Sequence, residues 1–105
     1  MLDFTKMKKK FMTVKIDEET TLYITSPRKK DLENMFAIQS ILVGGEVSNE
    51  DVNLIYDTVA DLLSNNKNKT KITADYISEI FGLDDIVVFL QAYMEFVTGA
   101  ISQKN

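Results

Sequence analysis

Apolar residues recur at helical spacing over most of this chain, most densely between Leu83 and Ile101. There they form two neighbouring stripes at three- and four-residue steps. The stripes are Ile86, Phe89, Tyr93 and Phe96, and beside them Val87, Leu90, Met94, Val97 and Ile101. Asp84 and Asp85 precede both stripes and suit the start of a helix. Since a surface helix needs only one stripe to face its core, the second stripe is a candidate surface for another molecule.

Two short segments near the start of the chain alternate between apolar and polar residues, which is typical of strands. Their apolar positions are Met12, Val14, Ile16, Leu22 and Ile24. The pattern predicts a β-hairpin over residues 11–25, with the polar residues 17–20 as a four-residue connection. A lone hairpin is marginal in water, so it must pack on the helices or pair with another chain.

Three further helices are predicted between the hairpin and the last helix. The first begins at Ser26-Pro27, an N-cap and a first helical position, and ends at Gly44-Gly45. Ser48 and Asp51 resemble a capping box at the start of the second, and Thr73 caps a short third helix. The sequence therefore predicts a mostly α fold in one domain, 1–105. It comprises a loose basic arm (1–10), a β-hairpin (11–25) and a helical body of about four helices (26–101).

Two missing residue types restrict the chemistry. The chain of 105 residues has no cysteine and no histidine, which removes the usual general base, thiol and Ser-His nucleophiles, and the common zinc sites. The carboxylate clusters lack the spacing of a calcium loop, and the glycine pair lacks that of a phosphate loop. We expect no enzyme activity, no catalytic residue, no metal site and no cofactor.

Charge is placed unevenly along the chain. Residues 1–30 contain eight Lys/Arg and four Asp/Glu, whereas residues 31–105 contain four and twelve. The simplest interpretation is a solvated basic arm on an acidic domain. Two others are head-to-tail attraction between copies and steering of a basic partner to the acidic part. The apolar run in 86–101 is too short and interrupted to span a bilayer, so a soluble cytoplasmic protein with no membrane partner is expected.

Residues 73–93 also fit a helix-turn-helix, with Gly82 in the turn. A reader helix must place basic or amide side chains against phosphates and base edges. No Lys or Arg occurs between Lys71 and Lys104, and acidic residues lie along the candidate reader helix. DNA binding is therefore disfavoured, and no nucleic-acid partner is expected.

Four segments spanning roughly residues 11–101 carry a family resemblance through their order and their pattern of apolar and polar residues. They are MTVKI (Met12–Ile16), NLIYDTVADLL (Asn53–Leu63), ITADYISEIFGL (Ile72–Leu83) and DIVVFLQAYMEFVTGA (Asp85–Ala100). In this order the chain resembles the small tail assembly chaperones of long-tailed phages of Gram-positive bacteria. The resemblance implies a protein without enzyme activity that coats the apolar, helical tape-measure protein. It would keep that client soluble until the tail tube polymerises around it.

The resemblance also implies partners and a location. The expected partners are the tape-measure protein, the tail-tube protein and further copies of the chain in a homo-oligomer. The expected location is the cytoplasm of the bacterial host, with no place in the mature virion. The candidate partner-contact residues are Phe89, Tyr93, Phe96, Val97 and Ile101. Two alternatives remain: another phage assembly component, such as a head-tail connector or tail-completion subunit, and a DNA-binding regulator.

Overall fold

A computed structural model of the protein describes residues 11–101, and the side chains of residues 11–99. It confirms the mostly α fold, with an N-terminal β-hairpin followed by four helices. The elements are β1 (Met12–Asp17), β2 (Thr20–Ile24), α1 (Lys29–Gly44), α2 (Asn49–Ser64), α3 (Ala74–Ile80) and α4 (Leu83–Ile101). The predicted basic arm, residues 1–10, lies outside the described residues.

The hairpin has a shorter connection than the sequence predicted. β1 and β2 pair antiparallel, and β1 extends to Asp17 while β2 begins at Thr20, so two residues rather than four connect them. The carboxylate of Asp17 accepts a hydrogen bond from the Glu19 backbone N–H at 2.9 Å, which closes the turn. The ladder changes register between Lys15 and Asp17. This irregularity lets Asp17 pair within the ladder, although its polarity suggested a loop.

The start of α1 also differs from the prediction. The N-cap is Arg28 rather than Ser26, and the backbone N–H of Arg28 donates to the carboxylate of Asp31 at 3.0 Å. A cap at Ser26 would place Lys29 at the third helical position, where a lysine cannot accept that bond. The helix therefore begins two residues later than its best isolated cap residue indicated. Its end is as predicted, with Gly45 in the left-handed conformation at φ 86°.

The other predicted caps are confirmed. Ser48 accepts from the backbone N–H of Asp51 and donates its own N–H to the Asp51 carboxylate, each at 3.1 Å. The hydroxyl of Thr73 accepts from the third residue of α3. At the start of α4, the carboxylate of Asp85 accepts from the Gly82 N–H at 3.0 Å. These bonds satisfy backbone donors that a helix leaves without partners.

One core joins the hairpin to all four helices. Its buried apolar side chains are Leu22, Ile24, Met35, Ile38, Ile55, Val59, Ala60, Leu62, Leu63, Ile72, Ile77, Ile86, Phe89, Leu90, Tyr93 and Val97. The inward residues of β1, such as Val14, are half-buried against this core. The hairpin is therefore stabilised by packing on the helices, which the prediction left as one of two possibilities.

The loop after α2 is tied to the hairpin rather than freely solvated. The Asn65 carbonyl accepts from Thr25 N–H at 2.9 Å, and Lys67 N–H donates to the Tyr23 carbonyl at 2.8 Å. The buried side chain of Asn66 holds the loop from inside, with its amide 2.8 Å from the carbonyls of Leu63 and Thr70. Although the loop contains no apolar residue from Asn65 to Lys71, its two asparagines fasten it to the hairpin and to α2.

The hairpin turn is also bonded to α3, with a consequence for pH dependence. The Tyr76 hydroxyl donates to the Asp17 carboxylate at 2.6 Å, and this bond, followed by the Glu19 N–H, lowers the pKa of Asp17. A carboxyl with a lowered pKa stabilises the fold above its unfolded pKa, and this contribution is lost as the pH falls through the folded pKa. We expect Tyr76→Phe to be less stable than the wild type at neutral pH. The two proteins should converge in acid.

Urea unfolding midpoints of both proteins, taken from about pH 7 down to about pH 2, measure this difference. Tyr23→Phe is the matched control, since it removes an exposed hydroxyl from the outer side of the hairpin. A difference between Tyr76→Phe and the wild type that stays constant over the whole pH range would show that Asp17 is not the acceptor that matters.

Candidate functional site

The last helix buries most of the residues that the sequence marked as partner contacts. Phe89, Tyr93 and Val97 are 6%, 0% and 5% exposed, and Phe96 is half-buried against the same core. The side chain of Ile101 lies outside the described residues. An exposed contact face made of Phe89, Tyr93 and Val97 is therefore not present in this fold.

The physical reason is that the chain itself covers most of both stripes of α4. The ring centroid of Tyr93 lies 5.7 Å from that of Phe89 and 6.2 Å from that of Phe96, within the distances of favourable aromatic pairs. The hairpin adds Leu22 and Ile24 to the same core. Helical periodicity identified the stripes but not which elements pack against them.

The apolar residues that α4 leaves exposed lie near its start instead. Leu83 is 40% exposed, Val87 39% and Val88 64%. On α1, Phe36 is 53% exposed and Val43, in the last turn, is 86% exposed. Exposed apolar side chains are common singly, whereas a group on two neighbouring helices is typical of a binding surface.

Some of these residues form a groove between the C-terminal half of α1 and the N-terminal half of α4. Its volume is about 460 Å³. The lining side chains, three from each helix, are Gln39, Leu42, Val43, Val87, Leu90 and Gln91. We call this feature the helix groove. Its walls are branched aliphatic side chains, and its polar atoms come from two glutamines that carry no charge.

The local sequence explains why the groove is open. Gly44 and Gly45 end α1 directly after Val43, so no further turn of that helix covers its side chain. On α4, Val87 follows the fully buried Ile86 and points about 100° away from it around the helix. Val88 is rotated further still and lines a different depression beside β1. Val43 and Val87 are therefore held at the groove by helices whose other faces are fixed in the core.

The electrostatics of the groove differ from those of the surrounding chain. Residues 11–99 contain seven Lys/Arg and fifteen Asp/Glu, a net charge of −8. None of the six side chains that line the groove is charged. An apolar ligand can therefore enter without removing water from an ion, which is the main cost of burying charged surface.

Sequence reasoning missed this site, although it named Val87 as part of a stripe. The glycine stop after Val43 was the one available indication that the end of α1 lies open. The position of α1 beside α4 depends on long-range packing, which periodicity does not report.

Comparisons with known proteins do not add to this picture. No known protein family, curated protein or solved structure matches this chain. Within residues 11–101, no helix is long and apolar enough to cross a membrane. In the same range, no three acidic side chains are grouped so that they could hold a metal ion. The helix groove is therefore the candidate functional site.

Proposed function

We propose that this chain binds an apolar helix, and that it is a tail assembly chaperone holding a phage tape-measure protein soluble until the tail tube polymerises. The observation that carries the proposal is the helix groove, with its aliphatic walls and uncharged lining. Amphipathic helices dock into such grooves through apolar side chains at positions i, i+3, i+4 and i+7. A long apolar, helical client offers that pattern many times along its length.

The exposure of the groove walls supports the same function. Val43 and Val87 present apolar surface to water, and covering that surface is favourable by roughly 25 cal/mol per Å². The rest of the chain is acidic, and a net charge of one sign opposes clustering of loaded complexes. An acidic body with an uncharged apolar groove therefore suits a protein that keeps an apolar client in solution.

Holding of this kind needs no chemical step. A protein that binds the unassembled client shifts it towards the soluble state by mass action, in proportion to its concentration and affinity. The client is then released when tail-tube subunits compete for the same apolar helix. Such holding would not need a nucleotide, and the sequence contains no nucleotide-binding motif.

The direct test is co-expression with the tape-measure protein encoded in the same phage genome, followed by purification of the soluble complex. We expect the client to be insoluble alone and soluble with the wild-type chain. Val87→Asp places a charge on the groove wall and should weaken client binding about tenfold, because that carboxylate must be desolvated. Circular dichroism of the variant should match the wild type, since Val87 is not a core residue.

Val88→Asp is the matched control. It is the same substitution one residue further along α4, at a more exposed position outside the helix groove. We expect it to retain the client. Equal loss in both variants would place the contact elsewhere on α4. A client that stays insoluble beside the wild-type chain would contradict the chaperone proposal and favour a connector or tail-completion subunit.

A further inference from the structure

The basic residues of the described chain are concentrated at one end of the α1–α2 pair. Six of the seven Lys/Arg within 11–99 belong to two segments, 28–30 and 67–71. These segments meet in space, since Arg28 and Lys69 line the same two depressions. The amide of Asn65 joins them, donating to the Ser26 carbonyl and to the Asp31 carboxylate at 3.3 Å each. We call this region the basic end.

One depression at the basic end has an aromatic wall. Its volume is about 490 Å³, and Lys67 Nζ lies 5.3 Å from the centroid of the Phe11 ring. The side chains that line it are Phe11, Thr25, Ser26, Arg28, Asn65, Asn66, Lys67 and Lys69. Two carboxylates, Asp31 and Asp61, lie nearby in the adjoining depression. Asp31 is buried and already paired with Arg28, and the exposed Asp61 is outnumbered by the lysines at positions 30, 67 and 69.

The lysines of this depression stand on a loop with a fixed shape. Asn66 accepts from the Thr70 N–H at 3.0 Å and donates to its carbonyl, and Lys69 lies between them in the left-handed conformation at φ 62°. A backbone that is already held loses little further entropy when its side chains bind a partner. The backbone of the basic depression is therefore preorganised.

The opposite end of the same two helices has complementary chemistry. α1 is sixteen residues long, so its two ends are about 24 Å apart. After its end the chain turns through Gly44, Gly45, Glu46 and Val47 into α2, with Glu50 in the first turn of that helix. No Lys or Arg occurs between Lys30 and Lys67. We call residues 44–50 the acidic turn.

The acidic turn projects from the molecule. Val47 is 37% exposed, Glu46 and Glu50 are exposed, and nothing lies within 4 Å of the position where a side chain would begin on Gly44 or Gly45. It therefore presents an apolar side chain flanked by carboxylates. The basic depression presents an aromatic ring flanked by ammonium groups.

From this complementarity we propose that the acidic turn of one copy docks in the basic depression of a second copy. The interface joins two different surfaces, so a dimer keeps one free surface of each kind, and the association is head-to-tail. The proposed contact contains no part of the client, and exposed ion pairs are individually weak and screened by salt. The association is therefore concentration-dependent and stronger at low ionic strength.

The test measures the mass of the purified chain by sedimentation between about 10 µM and 1 mM protein, a range that resolves weak association. At low salt the mean mass should rise with concentration, and about 0.5 M salt should abolish the rise. Two double variants remove one side each: Lys67→Gln with Lys69→Gln, and Glu46→Gln with Glu50→Gln. Each alone should associate at least tenfold more weakly than the wild type.

An equimolar mixture of the two variants gives the decisive result. Each retains the surface that the other lacks, so the mixture should form a 1:1 complex and no larger species. Glu18→Gln with Glu19→Gln is the control, because it removes two charges from the hairpin turn, outside both surfaces, and should associate like the wild type. A wild type that stays monomeric at low salt, a mixture that forms no complex, or a control that weakens equally would each overturn the proposal.

Discussion

Tyr93→Ala is expected to lower the free energy of unfolding by about 3–5 kcal/mol, the range for removing a large aromatic side chain from a core. Tyr93 is fully buried and pairs with the rings of Phe89 and Phe96, so its loss removes contacts on two sides. The surrounding side chains belong to several elements and cannot all move into the space. Urea denaturation followed by circular dichroism measures the loss.

Tyr93→Phe separates the ring of this residue from its hydroxyl. Among the described residues, no group donates a hydrogen bond to the buried Tyr93 hydroxyl or accepts one from it. Burial, and then the negative charge of Asp31, raise the pKa of this hydroxyl, so it stays protonated at physiological pH. Removing a buried polar group that lacks a partner relieves a desolvation cost. We expect Tyr93→Phe to be at least as stable as the wild type, with a gain of up to about 1 kcal/mol.

The two Tyr93 variants also decide how α4 is used. If Tyr93→Ala keeps wild-type stability and loses only client binding, Tyr93 is a partner contact, as the sequence first indicated. If it unfolds the chain as expected, α4 is a core helix whose outer residues form a groove wall. A large loss in Tyr93→Phe would show that the hydroxyl has a partner in solution, and would contradict its assignment as a group without one.

Much of the fold could be predicted because the determining interactions are local. The capping box of Ser48 and Asp51 and the glycine end of α1 each depend on a few neighbouring residues. The prediction from neighbouring residues failed at Ser26, because Asp31, five positions later, favours Arg28 as the N-cap. Asp31 provides the return bond that Lys29 cannot, and its carboxylate also meets Asn65 from the far end of α2.

The candidate site was harder to predict because exposure is a property of packing. Val87 and Tyr93 belong to adjacent stripes of comparable hydrophobicity, yet one is 39% exposed and the other fully buried. The difference arises from which elements reach each part of α4. Sequence periodicity gives the direction of each side chain around its own helix, but not which other elements pack over that side chain. Only the three-dimensional arrangement places Val43 opposite Val87.

Asp31→Ala is the second substitution with a large expected effect, a loss of about 2–3 kcal/mol of stability. The Asp31 carboxylate is 1% exposed and accepts from the backbone N–H of Arg28, from its guanidinium at 3.1 and 3.3 Å, and from the amide of Asn65. Alanine leaves the backbone N–H of Arg28 without its acceptor and removes one of the bonds that hold the loop after α2. The loss stays below that of a fully buried ion pair because the Arg28 side chain is 65% exposed and regains water.

Glu33→Ala is the matched control on the same helix. Glu33 also pairs with a basic residue, Lys29, but at 3.9 Å and with both side chains mostly exposed. Pairs of that kind contribute little, so the control should lose less than about 0.5 kcal/mol. Asn65→Ala tests whether Asp31 acts through the loop, because the losses from the two alanine variants should then combine to less than their sum. Fully additive losses would mean that Asp31 stabilises the helix start alone, and that the shape of the basic end does not depend on it.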